Sequence, residues 1–276
     1  MAEYSTRGSL RAREDGYFDE LFSILETHHH PVILVEEGAM RWMGLRTCPE
    51  ENLDLLVRDS QADAILAAFL ATDTFERVDQ DISYRLEDRY TKQVPRLRDT
   101  RCEPSAFTCV NLWTEAVYKL QVEDAEPVAV TDIHAWNVNL VEERFGTVPE
   151  TAHITSSART KEGMRTVPKV RSSARGVPIF VPSIPRCCDA VLDQLSYRDT
   201  YPEDFEGKMG NRPAYHLRNF IRYLYLERPS QRGLLLPLLA ERNRAEMERR
   251  IDAFKRKPSL AMIWQSRNNQ GKTDLT

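Results

Sequence analysis

Two short apolar runs, VILV at 32–35 and LDLLV at 53–57, limit most strongly what this chain can fold into. Each has the length of a buried strand and is too short for a helix. Between them, Gly38 to Gly44 has room for two helical turns, with Ala39, Met40 and Met43 facing a core and Arg41 projecting elsewhere. Upstream, YFDELFSILET at 17–27 spaces Phe18, Leu21, Phe22 and Leu25 as one face of an amphipathic helix. Downstream, Ser60 stands as an N-cap before SQADAILAAFLAT, with an acid three residues on. The order helix, strand, short helix, strand, helix continues into the strand-like segments FERV, SYRL, TCVNLW and VYKLQV, up to about residue 122. The fold class expected is α/β (α+β): a small mixed sheet with flanking helices plus a helical C-terminal region.

The chain divides by composition. Residues 17–145 form the expected α/β domain, and 146–176 are rich in Ser, Thr, Gly and Pro. From Thr155 to Gly176 this segment carries six basic residues (Arg159, Lys161, Arg165, Lys169, Arg171, Arg175) against the single acid Glu162, so it is read as a flexible basic loop. It is either a solvated insertion or a flap that touches a polyanion. Residues 177–257 restart with VPIFVPSIP at 177–185 and continue as helical patterns at Arg186–Leu195, Ala214–Leu226, Ser230–Ala240 and Glu241–Lys257. The tail, 258–276, is expected to be disordered.

Composition excludes several classes. Among the 276 residues, 41% are hydrophobic, enough for one core or a core with a helical appendage. No stretch approaches the roughly 18 apolar residues of a membrane span, and Met1 to Asp15 lacks a signal-peptide apolar core, so the cytoplasm is the expected location and no membrane is a partner. Five cysteines, including the adjacent Cys187 and Cys188, fit reduced buried thiols rather than a disulfide framework or a zinc set. The net charge of −4 speaks against a surface generally coated with nucleic acid, and DNA is not an expected partner, although a local basic face is compatible with it. His28, His29 and His30 are consecutive and cannot all point at one ion. His134 and His153 have no G-x-S-x-G elbow to serve, and Trp42, Trp113, Tyr118 and Trp136 are expected in the core or lining a pocket.

The residues with most chemical content lie in EEGAMRWMGLRTCPEENLDLLV at 36–57. After the turn Glu37-Gly38 come thirteen residues, Ala39 to Glu51, and then Asn52, Leu53 and Asp54. Positions 52 and 54 project from one face of a strand and can converge on one ion, while Leu53 and Leu55 enter the core. This pattern resembles the nucleotidyltransferase superfamily, over roughly residues 17–240. In that family a glycine turn presents backbone amides near nucleotide phosphates, and an Asp-x-Asp strand with a third carboxylate from a later strand holds divalent metal. Here Asp54 is retained, Asn52 stands for one carboxylate, and Asn111 in TCVNLW stands at the third position. The stretch RTCPEENLDLLVRDSQ is also similar to fungal proteins carrying this incomplete arrangement.

The resemblance implies Mg²⁺ as a cofactor, but two amides in place of carboxylates weaken a site that needs hard anionic oxygens, and two-metal phosphoryl transfer is then hard to sustain. No metal ligands are assigned and no other cofactor is read from the sequence. Glu36, Glu37, Glu50 and Glu51 are displaced carboxylates that would have to substitute. Asp54, Glu37 and Glu36 are the candidate catalytic residues, with Gly38, Arg41, Asn52 and Asn111 as candidate substrate contacts. A second constellation lies in AYHLRNFIRYLYLER, where His216, Arg218 and Arg222 sit among Tyr215 and Tyr223. Guanidinium groups and rings in this arrangement suit phosphates and unpaired bases, although Leu217, Phe220, Ile221 and Leu224 also describe an ordinary core face.

The expected function is a repurposed transferase, or a binder, that recognises a nucleotide or the 3′ end of an RNA such as tRNA. Two alternatives stand beside it. One is a fungal tRNA-dependent synthase of arginine-containing cyclodipeptides in secondary metabolism, with acids in the cleft holding an arginyl side chain. The other is a non-catalytic pseudoenzyme acting as a regulatory partner.

Overall fold

A computed structural model describes residues 16–45, 52–78, 93–101, 109–130, 175–205, 212–226 and 235–256. The elements are α1 (Asp19–Thr27), β1 (Val32–Ile33), α2 (Glu36–Trp42), β2 (Leu53–Val57), α3 (Ala62–Leu70), β3 (Phe75–Arg77), β4 (Arg96–Asp99) and β5 (Cys109–Thr114). They continue with α4 (Glu115–Tyr118), β6 (Val128–Val130), β7 (Ile179–Val181), α5 (Ile184–Thr200), α6 (Arg212–Phe220) and α7 (Glu241–Lys255). The protein is thus mixed α/β, with two small mixed sheets and flanking helices.

One sheet has the order β1-β7-β6 and the other β2-β5-β4-β3. β1 runs parallel to β7, β2 parallel to β5, and the remaining pairs are antiparallel. An antiparallel bridge between Leu34 and Leu55 joins the two sheets, reinforced where the Val35 amide donates to the Asp54 carbonyl at 2.9 Å. Side chains alternate across this layer with the strand period of two. Val32, Leu34, Leu53, Leu55, Val57, Val110, Leu112, Ile179 and Val181 enter one buried cluster, together with α1 and α3. Ile33, Val35, Leu56 and Trp113 enter the other, with Phe180 packed against it.

The chain division at 146–176 is therefore not a division of the core. β7, which follows the expected loop, lies between β1 and β6 and carries residues into the same cluster as β2 and β5. α5, α6 and α7 add Val191, Leu192, Leu217, Phe220, Met247 and Ile251 to that cluster. Among the described residues no helix is long and apolar enough to cross a membrane.

Several sequence expectations need correction. Ser60 is not the cap of α3: Gln61 occupies that position and no side-chain cap bond forms. VYKLQV is not a strand, because α4 takes its first residues and ends at Lys119 with φ 62. The short strands β4 and β6 were not anticipated. α5 extends well beyond the expected Arg186–Leu195, and α6 begins at Arg212 and widens into a π-turn over Ile221–Leu226. Of the expected helix Ser230–Ala240, the described part forms a single 3₁₀ turn at Leu236–Leu238 around Pro237. SYRL, the basic loop up to residue 174 and the tail from 258 lie outside the described residues.

Candidate functional site

Register brings the first part of the site together. In the parallel pair β2–β5, Asp54 lies opposite Asn111, and Trp113 follows two residues later on the same face. Asn111 Nδ2 donates to Asp54 Oδ1 at 2.8 Å and Trp113 Nε1 donates to the same oxygen at 2.7 Å. All three residues are buried. On its other side, Asn111 is paired in register with Arg96 of β4, also buried. Asn111 Oδ1 is shut off from solvent and finds no hydrogen-bond donor among the described residues. An unmet acceptor in such surroundings costs about 1–3 kcal/mol.

Helices supply the second part. Glu36 opens α2 with φ 51, a left-handed conformation that costs a non-glycine residue roughly 1–3 kcal/mol. Its carboxylate forms an ion pair with Arg212, and His216 Nδ1 lies 3.6 Å from Glu36 Oε2. Arg212 is the first residue of α6, an end where the helix dipole disfavours a cation, and interactions elsewhere offset this. Its guanidinium lies 4.4 Å from the centre of the Trp113 ring, and Nη2 donates to Gln194 Oε1 at 2.9 Å. Gln194 Nε2 in turn donates to the Tyr118 carbonyl at 2.9 Å. The Tyr118 hydroxyl accepts the Glu36 amide at 3.5 Å and lies 3.9 Å from Cys187 Sγ. Trp113 and Tyr118 meet edge to face, with centroids 5.8 Å apart. Six elements, α2, β2, β5, α4, α5 and α6, thus converge on one polar centre.

Protonation in the helical half follows from burial and from the Arg212 guanidinium. Burial opposes the charge of Glu36, but the Arg212 guanidinium, with a further contribution from His216, holds its carboxyl below the usual range. Burial lowers His216 to about 4, with Arg212 acting in the same direction and Glu36 against it. Burial raises the Cys187 thiol to about 12 and the Tyr118 phenol well above its ordinary value. At neutral pH Glu36 is therefore an anion and Arg212 a cation, while His216, Cys187 and Tyr118 are neutral. Burial thus keeps Cys187 a neutral thiol rather than a thiolate at neutral pH.

The remaining sequence-selected residues are placed as follows. Glu37 is buried on the first turn of α2, and Arg41 and Asn52 are half-buried. Gly38 is not the turn: Glu36 carries the positive φ, and Gly38 sits within α2, where a Cβ would come within 3.3 Å of Leu34 Cβ. Its smallness serves the packing of α2 on the end of β1. His216, Arg218 and Arg222 have different surroundings. His216 turns to Glu36, Arg218 is exposed beside the Tyr215 ring at 5.2 Å, and Arg222 lies 5.1 Å from the Tyr223 ring with Nε shut off from solvent. Glu50 and Glu51 lie outside the described residues.

The Mg²⁺ implied by the resemblance does not fit this donor set. Asp54 Oδ1 already accepts two N–H groups, and Asn111 turns its amide N–H toward Asp54. Among the described residues no group of three or more His, Cys, Asp or Glu is placed to hold a metal ion. His30 has a structural role: Nδ1 donates to the Pro31 carbonyl at 2.7 Å while Nε2 accepts the Arg58 amide at 3.1 Å. A backbone amide can only donate, so Nε2 is unprotonated and the ring is neutral.

Comparison with family models, with curated proteins and with solved structures finds no match. The arrangement itself must carry the functional reading. Sequence reasoning missed Arg212 and Gln194, and took Tyr118 and Trp113 only as core or pocket aromatics. A signal for Arg212 existed: a cation directly before Pro213, at the start of a helix, needs an anion from elsewhere.

Proposed function

We propose that this chain is a nucleotidyltransferase-like protein that binds a nucleotide or an RNA 3′ end through hydrogen bonds rather than through metal. The observation that supports this reading is the buried, unmet acceptor Asn111 Oδ1 beside Asp54. A nucleobase amine or a ribose hydroxyl supplies the donor such an acceptor requires. The Asp54 carboxylate is held by Asn111 and Trp113, so the position occupied by metal-binding acids in the resembled family is used here to orient an amide. We do not favour the arginine-specific synthase, because Glu36 already holds a guanidinium within the chain, that of Arg212.

The test is equilibrium binding of labelled nucleoside triphosphates and a short RNA with a free 3′ hydroxyl, in Mg²⁺ and in EDTA. Binding should survive EDTA and weaken at least about tenfold in Asn111→Leu, which removes the acceptor at similar volume. Absence of binding by every nucleotide and RNA, or metal-dependent incorporation of nucleotide into RNA, would overturn the reading.

A further inference from the structure

The Glu36–Arg212 pair has the properties of a filled anion site. Arg212 is fixed from two directions that do not involve Glu36: its guanidinium lies over Trp113, and Nη2 is bound to Gln194. Gln194 is itself anchored on the Tyr118 backbone. The guanidinium therefore keeps its orientation without its anion. His216 borders the same carboxylate as a neutral group able to donate, while the Tyr118 hydroxyl meets the Glu36 backbone amide. Glu36, in contrast, reaches this place only through a left-handed residue at the start of the seven-residue helix α2. The fixed partner is the cation and the strained partner is the anion.

We infer that Arg212, with His216, forms a phosphate subsite that Glu36 fills until a ligand phosphate displaces it. This inference rests on the reading of the centre as a nucleotide or RNA site and names the group that recognises the phosphate. Exchange of one anion for another keeps the buried Arg212 guanidinium paired, which a ligand cation entering beside it would not do. Guanidinium and phosphate also match in geometry, with paired N–H donors facing paired oxygens. Departure of Glu36 relieves its backbone strain and offsets part of the cost of breaking the ion pair.

Inorganic pyrophosphate is the probe, measured by calorimetry and phosphorus NMR on the full chain. Glu36→Gln should bind it at least about tenfold more tightly than wild type, and Arg212→Met should abolish binding. Glu36→Gly, which takes the left-handed conformation without strain, replaces Glu36→Gln if the latter does not fold. On the wild-type chain, saturating pyrophosphate should accelerate amide exchange over residues 36–42. Equal affinity in wild type and the Glu36 variant, retention of binding by Arg212→Met, or unchanged exchange over α2 would overturn the subsite. Pyrophosphate binding without nucleotide or RNA binding would retire the proposed function and leave the subsite standing. Nucleotide binding indifferent to Arg212 would do the reverse.

Discussion

Arg212 and Glu36 form an ion pair whose side chains are only 10% and 7% exposed, joining the start of α6 to the start of α2. Removing either charge strands the other where water cannot replace it, so Arg212→Met should destabilise the protein by about 3–5 kcal/mol. Replacing both, as Glu36→Gln with Arg212→Met, should recover much of that loss. Urea denaturation of the wild type, both single variants and the double variant measures the coupling. Additive losses would show that the two groups do not depend on each other.

Acid stability should be governed first by two buried histidines. His30 and His216 are each lowered from 6.5 to about 4, in both cases chiefly by burial. Above about pH 6.5 both are neutral in the folded and unfolded chain, and their contribution is fully present. Between about 6.5 and 4 the unfolded chain takes up protons that the folded chain refuses, and stability falls by up to about 3 kcal/mol per histidine. Below that both states are protonated and this loss levels off. Glu36 and Asp99, held below their usual values of 4.5 and 3.8, add a further loss as the pH falls below those values. Urea denaturation from pH 7.5 to 4 should show this slope, and His216→Phe should remove about half of it.

Much of the layer was legible in the sequence because its signals are local. The apolar runs at 32–35, 53–57 and 179–181 and the spacing of Phe18, Leu21, Phe22 and Leu25 depend on residues a few positions apart. VYKLQV was misread because distant side chains decide its conformation. Asp59 Oδ1 accepts the Ala116 amide at 3.1 Å, while Glu115 accepts the Val122 and Asp59 amides at 2.7 and 3.0 Å. These bonds favour a helical turn over the alternation of the segment itself. The site divided in the same way. The same-face reading of Asn52 and Asp54 rests on strand periodicity and the choice of Asn111 on the resemblance, whereas Arg212 acquires its meaning only from Glu36 and Trp113, which no spacing rule connects to it.

Trp113 gives a direct spectroscopic report on Asp54. Its indole N–H donates to a buried carboxylate oxygen at 2.7 Å, so its proton resonance should lie downfield of those of the other indoles. Asp54→Asn can still present an oxygen to one donor, and should move the resonance upfield at a cost of about 1–2 kcal/mol. Asp54→Ala leaves both the Asn111 and Trp113 donors unmet and should cost more, about 2–5 kcal/mol. An indole resonance unchanged in both variants would remove Asp54 from this contact.

Asp189 shows how α5 fixes α7. Its two carboxylate oxygens accept the Ala240 amide at 3.1 and 3.0 Å, and Oδ1 also accepts Asn243 Nδ2 at 2.9 Å. Ala240 precedes α7 and has no capping side chain, so a carboxylate from another helix performs the capping and meets the positive end of the helix dipole. Asp189→Ala should therefore cost about 2–3 kcal/mol, combining a lost cap with a buried Asn243 amide left without this acceptor. Asp189→Asn keeps one acceptor oxygen and should cost roughly half as much. Hydrogen exchange should quicken first over residues 240–244 in Asp189→Ala, with little change in α1 or α3, which lie elsewhere in the core. Uniform acceleration across the chain would show that Asp189 supports the whole core rather than the entry into α7.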